Sequence, residues 1–302
     1  MTSPAATQAV AGTFSPLETW LATAAGLTAF FTSLFTASMV NVAVPSVIGS
    51  FGVGQTQAQL LMSGFFAMNS TGLLASSWMV ARFGQREVFH GSLLVFGSAG
   101  LLCFAAPSFE FLVLGRGVQG LAAGFLQPLI MLVLVQVFPS EKRGLAMGMF
   151  TMGVTAAVGI GPAFGGVITE AYQWQLIFLA PLPFTILAAT LGFLFLPGAP
   201  RQSSPPRFDW LGFALINTLV FCWFTLLGNG QRWGWSSDIA LGFAAAVVAA
   251  GAVFYWSQGR PGVTLVDLSL FQNKSYAAGF GIIFFFGILF FRSSIFIIFA
   301  II

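Results

Sequence analysis

Phe111-Leu112-Val113-Leu114-Gly115-Arg116-Gly117-Val118-Gln119-Gly120-Leu121-Ala122-Ala123-Gly124-Phe125-Leu126-Gln127-Pro128 is an apolar run with a cation near its middle. A crossing of the bilayer core takes about 20 such residues. A charge at that depth is costly, so Arg116 is expected to face protein or water and to have a task. The eight acidic residues, Glu18, Glu87, Glu110, Glu141, Glu170, Asp209, Asp238 and Asp267, all fall at span ends or in loops. Arg116 therefore reads as a buried cation without a buried carboxylate partner.

The rest of the composition agrees with a membrane reading. Of the 302 residues, 57% are hydrophobic and 6% charged, where a soluble domain carries about 25% charged residues. Mean hydropathy is +0.92. The 35 Gly and 14 Pro are tolerated in membrane helices, because neighbouring helices satisfy the freed backbone groups. A net charge of +3 comes from a few loop cations and gives no sign of nucleic-acid binding. Cys103 and Cys222 lie inside spans and read as free thiols. The first apolar segment lacks a basic n-region and is too long for a cleaved leader, so it reads as an uncleaved anchor.

Nine spans follow from hydropathy: 20–48, 58–81, 88–106, 110–137, 144–169, 173–196, 210–228, 238–256 and 276–302. With a cytoplasmic N-terminus, the inner loops hold Arg82, Arg86, Lys142, Arg143, Arg201, Arg207, Arg260 and Lys274, and the outer loops only Arg232. That bias sets the orientation. The expected fold is an all-α membrane bundle. Residues 1–19 form a cytoplasmic tail and 20–196 a six-helix bundle. Residues 197–209 are a Pro- and Ser-rich linker, 210–256 two further helices and 257–275 a cytoplasmic loop. Residues 276–302 begin a further bundle, and the apolar ending at Ile302 reads as a cut chain. The first six spans divide into equal triplets, as in transporters built from three-plus-three repeats.

Span five places Gly153, Ala157, Gly161 and Gly165 four residues apart, a smooth face that lets a second helix approach closely. Generic helix packing accounts for that stripe. It accounts less well for the compact order Gly161-Pro162-Ala163-Phe164-Gly165-Gly166. In the loop after span two, Arg82-Phe83-Gly84-Gln85-Arg86, Gly84 suits a tight reversal and the cations suit a cytoplasmic surface.

Together these pieces resemble the major facilitator superfamily, and most closely its 14-helix drug:proton antiporter branch. Gly161-Pro162-x-x-Gly165-Gly166 is similar to the antiporter motif of helix five. Arg116-x-x-Gln119-Gly120 resembles the helix-four motif, whose arginine the family implicates in proton coupling. Arg82-x-Gly84-x-Arg86 resembles the loop motif that gates the cytoplasmic side. Asn41-Val42-Ala43-Val44-Pro45 resembles the end of helix one, and 210–228 and 238–256 correspond to the two extra helices of this branch. The resemblance implies that Arg116, Gln119 and Asn41 form the coupling or substrate region, with Arg116 facing a central cavity. It implies a gate at Arg82, Gly84 and Arg86, and a helix five shaped by Gly161, Pro162, Gly165 and Gly166. The chain also departs from the pattern. Ala81 stands where the loop motif has Asp, Ser77 where it has its leading Gly, and Thr36 where the branch often has an acid.

The implied activity is secondary active transport: proton-coupled export of drugs or other amphiphiles by alternating access, in the cell (inner) membrane. The partners would be a small amphiphilic substrate, the proton and the bilayer, with a periplasmic adaptor protein if the cell is Gram-negative. No nucleic-acid partner, metal or cofactor is expected, and no nucleotide loop or nucleophile–base pair argues for an enzyme. His90, the only histidine, reads as an interfacial polar residue near the start of span three. Arg292 reads as snorkelling to the outer interface. Two other readings stay open: a transporter of an anionic metabolite paired by Arg116, and a truncated chain without transport of its own.

Overall fold

A computed structural model describes residues 15–198, 207–258 and 268–282, with the side chains of 228, 268 and 269 excepted. Arg201, Arg260, Asp267, Arg292, most of the linker and most of the ninth span lie outside the described residues.

The described chain is helical. The first helix, α1 (Pro16–Phe51), starts inside the segment read as a tail. Ser15 caps it: the Glu18 amide donates to Ser15 Oγ at 3.3 Å, and the Ser15 amide donates to Glu18 Oε2 at 2.8 Å. This capping box and Pro16 at the first helical position fix the start several residues ahead of the apolar pattern. After a one-turn helix at Gln55–Ala58 come α2 (Leu60–Phe83), α3 (Gln85–Phe104), α4 (Phe109–Val137) and α5 (Arg143–Ala171). The sixth span divides into a 3₁₀ turn, Trp174–Phe178, and α6 (Leu182–Phe195). Pro181 and Pro183 lack backbone donors and favour a break there. The two further helices are α7 (Trp210–Trp233) and α8 (Asp238–Gln258).

Among the described residues, seven segments are long and apolar enough to cross a membrane. The α2 helix is long enough but is not among them. It carries Ser63, Asn69, Ser70, Thr71, Ser76 and Ser77, which lower its hydropathy. The hydroxyls of Ser63, Ser70, Thr71 and Ser76 are satisfied locally or on a neighbour. Ser70 donates to the Phe66 carbonyl at 3.0 Å, and Ser76 to the Phe125 carbonyl of α4 at 3.3 Å. The α1 hydroxyls are spent the same way: Thr23, Thr32 and Thr36 each donate one turn back, at 2.7 to 2.8 Å. Inside a membrane each such bond spares an unsatisfied polar group.

The packing of the six-helix unit obeys an exchange of its two triplets. The α2 helix lies on α4, and its exchange mate α5 lies on α1; α3 lies on α4, and α6 lies on α1; α1–α4 and α3–α6 map onto themselves. Small residues make these crossings close. A Cβ at Gly124 would stand 2.1 Å from the Asn69 carbonyl oxygen, and one at Gly72 2.2 Å from that of Leu121. At the α1–α5 crossing the tight glycines are Gly161 and Gly165, against Ser38 and Met39. One core fills the end with Phe30, Phe89, Ile130 and Leu134, and a second the end with Phe35, Met39, Leu112 and Trp174. A small cluster of Ala37, Phe65, Phe96, Ala122 and Ala123 lies apart from both.

The α7–α8 pair is pinned at its base. Asp209 caps α7 by accepting from the Gly212 amide at 2.8 Å, and its other oxygen accepts from Gln258 Nε2 at 2.8 Å. The pair leans on α2 through Trp78 and Phe208, whose rings lie 4.9 Å apart, and through a Thr71–Asn217 hydrogen bond.

Candidate functional site

Arg116 is fully buried and is among the largest side chains with no exposure. Gln119 follows it by three residues, so both project from one face of α4. The Arg116 Nη1 donates to Gln119 Oε1 at 2.7 Å. The guanidinium carbon lies 4.2 Å from the centroid of the Phe65 ring on α2. The next residue on α4 explains that approach. A Cβ at Gly120 would stand 2.2 Å from the Phe65 carbonyl oxygen, so only glycine lets α2 carry Phe65 this close. Behind the pair, Gly100 of α3 leaves room for the Gln119 amide, whose nitrogen would lie 3.4 Å from a Cβ placed there.

The guanidinium is only partly satisfied. Nε and Nη2 are buried without a hydrogen-bond partner among the described residues. Each such donor costs about 1–3 kcal/mol, while a desolvated cation–π contact returns about 2 kcal/mol. Phe65 therefore offsets part of the burial of Arg116, not all of it. The Nε–H and the Nη2 amino group remain to take a carboxylate or another acceptor in place of the missing bonds. Arg116 is fully buried among the helices of the six-helix unit, and three hollows among the described residues are lined by other residues. Asn41 is not brought into this site: it is exposed on α1, and no hydrogen bond joins it to the pair among the described residues.

The helix-five motif acts on α1. Pro162 has no amide proton, so the Val158 carbonyl one turn back loses its helical donor. Ser38 of α1 supplies the missing bond, donating its hydroxyl to Val158 at 3.1 Å. Gly161 and Gly165 admit α1 at this point: a Cβ at Gly161 would stand 2.5 Å from Ser38 Oγ, and one at Gly165 3.0 Å from the Met39 carbonyl. Gly166 takes no part, since nothing lies within 4 Å of a Cβ there. The face of α5 turned away from α1 is more open, with a shallow hollow of about 640 Å³ lined by Gly148, Thr151, Met152, Thr155 and Ala156.

At the opposite end of α2, Gly84 turns the chain with φ 101°. The two motif arginines then diverge. Arg86 Nε donates to the Leu196 carbonyl at 2.6 Å, tying α3 to the end of α6. Arg82 stays near its own helix, its guanidinium carbon 5.6 Å from the Trp78 ring and 5.8 Å from that of Phe83. Ala81 provides no carboxylate to either. His90 lies between the same two helices, and its ring faces a carbonyl on each side, to one of which a neutral imidazole can donate. Its Nδ1 lies 2.7 Å from the Arg86 carbonyl oxygen and its Nε2 3.2 Å from that of Ala189. Gln85 was not singled out by sequence, yet it is fully buried and its amide has no partner among the described residues.

A family model described as Major Facilitator Superfamily matches residues 26–302. The multidrug export protein EmrB of Escherichia coli (strain K12) is 28% identical over 255 residues, 83% of this chain and 49% of that protein. The fatty acid resistance protein FarB of Neisseria gonorrhoeae is 29% identical over 263 residues, 86% of this chain and 51% of that protein. An uncharacterized MFS-type transporter, YhcA of Bacillus subtilis (strain 168), is 29% identical over 265 residues, 87% of this chain and 49% of that protein. The chain thus spans about half the length of the curated relatives it matches. Among solved structures, the peptide transporter POT in complex with sulfate aligns with a TM-score of 0.57 at 15% identity, over 82% of this chain and 53% of that one. A bacterial homolog of the human lysosomal transporter Spinster aligns at 0.54 and 18% identity, over 85% of this chain and 65% of that one. These two likenesses concern the fold alone.

Proposed function

The chain belongs to the Major Facilitator Superfamily, and from that premise we propose that it serves proton-coupled export of drugs or other amphiphilic small molecules by alternating access. It is a multi-pass membrane protein of a family that is not enzymatic. The single observation that carries the export reading is the 28% identity to a multidrug export protein over 83% of the chain. The α1–α5 crossing supports it. Its glycines and Pro162 are the residues of the antiporter-like motif, and Ser38 repairs the bond that Pro162 breaks.

In this reading Arg116 and Gln119 form the coupling region. The two unpaired guanidinium donors are the group that would gain an acceptor in a second conformational state. The proton carrier is a residue other than Arg116, since a guanidinium does not release a proton at physiological pH. Substrate would meet the exposed face of α5, where Thr151, Met152 and Thr155 offer hydroxyls beside a thioether. The Arg82–Gly84–Arg86 turn would be the cytoplasmic gate, with the N-terminus cytoplasmic and the protein in the cell (inner) membrane. Where the cell has a periplasm, an adaptor protein would receive the exported compound.

The test is efflux of a lipophilic cation dye from cells expressing the protein, with and without a protonophore. Export that stops when the proton gradient collapses is expected. Export that persists without the gradient would remove proton coupling, and no export above the empty-vector rate would remove the drug-export reading.

A further inference from the structure

A crevice of about 580 Å³ separates α2 from α7 at the end of the molecule that carries Gly54 and Arg232. We propose that it is a binding site for one anionic phospholipid of the surrounding bilayer, with the head on Arg232 and a chain along Phe221 and Phe224. The inference concerns a lipid site and does not depend on what the protein transports.

The crevice is graded from polar to apolar. Thr56, Gln57 and Arg232 stand at its mouth, where α2 begins and α7 ends, and Ala67 and Phe221 lie deepest along the two helices. Gly64 keeps the α2 wall thin: a Cβ there would meet only a Val113 methyl, at 4.0 Å. One turn beyond Ala67 and Phe221, the Thr71–Asn217 hydrogen bond shuts the floor. From Arg232 to Phe221 is eleven residues of α7, or about 16 Å of helix. That is close to the hydrocarbon depth of one leaflet, half of about 30 Å. A small soluble anion would need no such length.

The side of the crevice is continuous with the lipid-facing surface. Phe221 and Phe224, which line it, are 58% and 42% exposed, and neighbouring Leu227 is 50% exposed. Arg232 is exposed at the mouth and has no ion pair among the described residues. A cation at the head-group level attracts an anionic head, and hydroxyl and amide groups below it can receive phosphate and ester oxygens. A zwitterionic head offers the same phosphate but carries its own cation, so it should be held more weakly.

The test is native mass spectrometry of the purified full protein in a neutral detergent, titrated separately with phosphatidylglycerol, phosphatidylcholine and inorganic phosphate. The expected result is one phosphatidylglycerol adduct, held roughly threefold or more above phosphatidylcholine, the size one partly solvated charge contact supplies. Arg232→Gln should bring phosphatidylglycerol down to the phosphatidylcholine level. Ala67→Phe, which fills the floor, should weaken both lipids, and Arg207→Gln, an exposed cation away from the crevice, should change neither. Equal retention of the two lipids by the unmodified protein overturns the proposal, as does retention unaffected by either crevice variant. Inorganic phosphate bound as well as phosphatidylglycerol would reveal an anion site without a chain groove and overturn it too. Should Ala67→Phe fail to fold, the exposed Arg232→Gln variant still decides.

Discussion

Phe65 of α2 lies beneath the guanidinium of Arg116 on α4, 4.2 Å from ring centroid to Cζ, and among the described residues no carboxylate pairs with that cation. The ring faces the charge because Gly120 brings the two backbones together. Arg116, Phe65 and Gly120 therefore act as one unit: the glycine sets the crossing, the crossing sets the ring, and the ring makes the charge tolerable.

Arg116→Met should keep or raise thermal stability while abolishing efflux. The thioether fills much of the volume and removes two unpaired donors, and replacing buried charges by apolar groups is often neutral or stabilising. Phe65→Leu should do the reverse, lowering stability by about 2 kcal/mol through loss of the cation–π contact. Melting temperatures in detergent, read beside dye efflux, separate the two. An Arg116→Met protein that is both unstable and inactive would make Arg116 a structural residue.

Gly120→Ala should destabilise by several kcal/mol or prevent folding. The added methyl would meet the Phe65 carbonyl oxygen at 2.2 Å and its carbonyl carbon at 2.9 Å, both backbone atoms that cannot rotate away. Overpacking typically costs about 1–3 kcal/mol, and more where backbone must move. Gly166→Ala is the matched control. With open space around it, the change should lie within about 0.5 kcal/mol or gain a little helix propensity. Expression level and melting temperature of the two variants check this.

Ser38→Ala should cost about 1 kcal/mol, the net value of one hydrogen bond, because it leaves the Val158 carbonyl without a donor. That cost should disappear when Pro162→Ala restores the backbone amide that normally serves Val158. A double-mutant cycle on melting temperature reads this coupling directly. Additive effects would mean that Ser38 acts on α5 through packing and not through this bond.

Much of this architecture is legible in the chain. The apolar runs mark the crossings, and Gly84 marks a turn; the Ser15 cap, by contrast, starts α1 inside the segment read as a tail. The spacing of Gly161 and Gly165 marks one face of α5, and the cost of a charge in lipid marks Arg116. What sequence does not reveal is which neighbour each face meets. Phe65 carries no motif, and one aromatic among 36 phenylalanines becomes a cation's partner only through the α2–α4 crossing. Asn41 sits in a recognisable segment, but the segment does not reveal that its side chain is exposed on α1 and makes no hydrogen bond to the Arg116 pair among the described residues. The 3₁₀ break before α6 is a local effect of Pro181 and Pro183 inside a span whose hydropathy is continuous.

The two arginines of the Gly84 turn should behave differently, although their spacing makes them look equivalent. Arg86 reaches across to the Leu196 carbonyl at 2.6 Å, whereas Arg82 lies over Trp78 of its own helix. Only Arg86 links two helices. It does so at the carbonyl end of α6, where a cation also meets the negative end of the helix dipole. A charged donor bond in a half-exposed place is worth about 1 kcal/mol, so Arg86→Ala should speed amide exchange across residues 192–196 roughly fivefold. Arg82→Ala should leave those amides unchanged. If both variants loosened α6 alike, the turn would be acting through its net charge. If neither did, the Arg86–Leu196 bond would not be what holds α3 against α6.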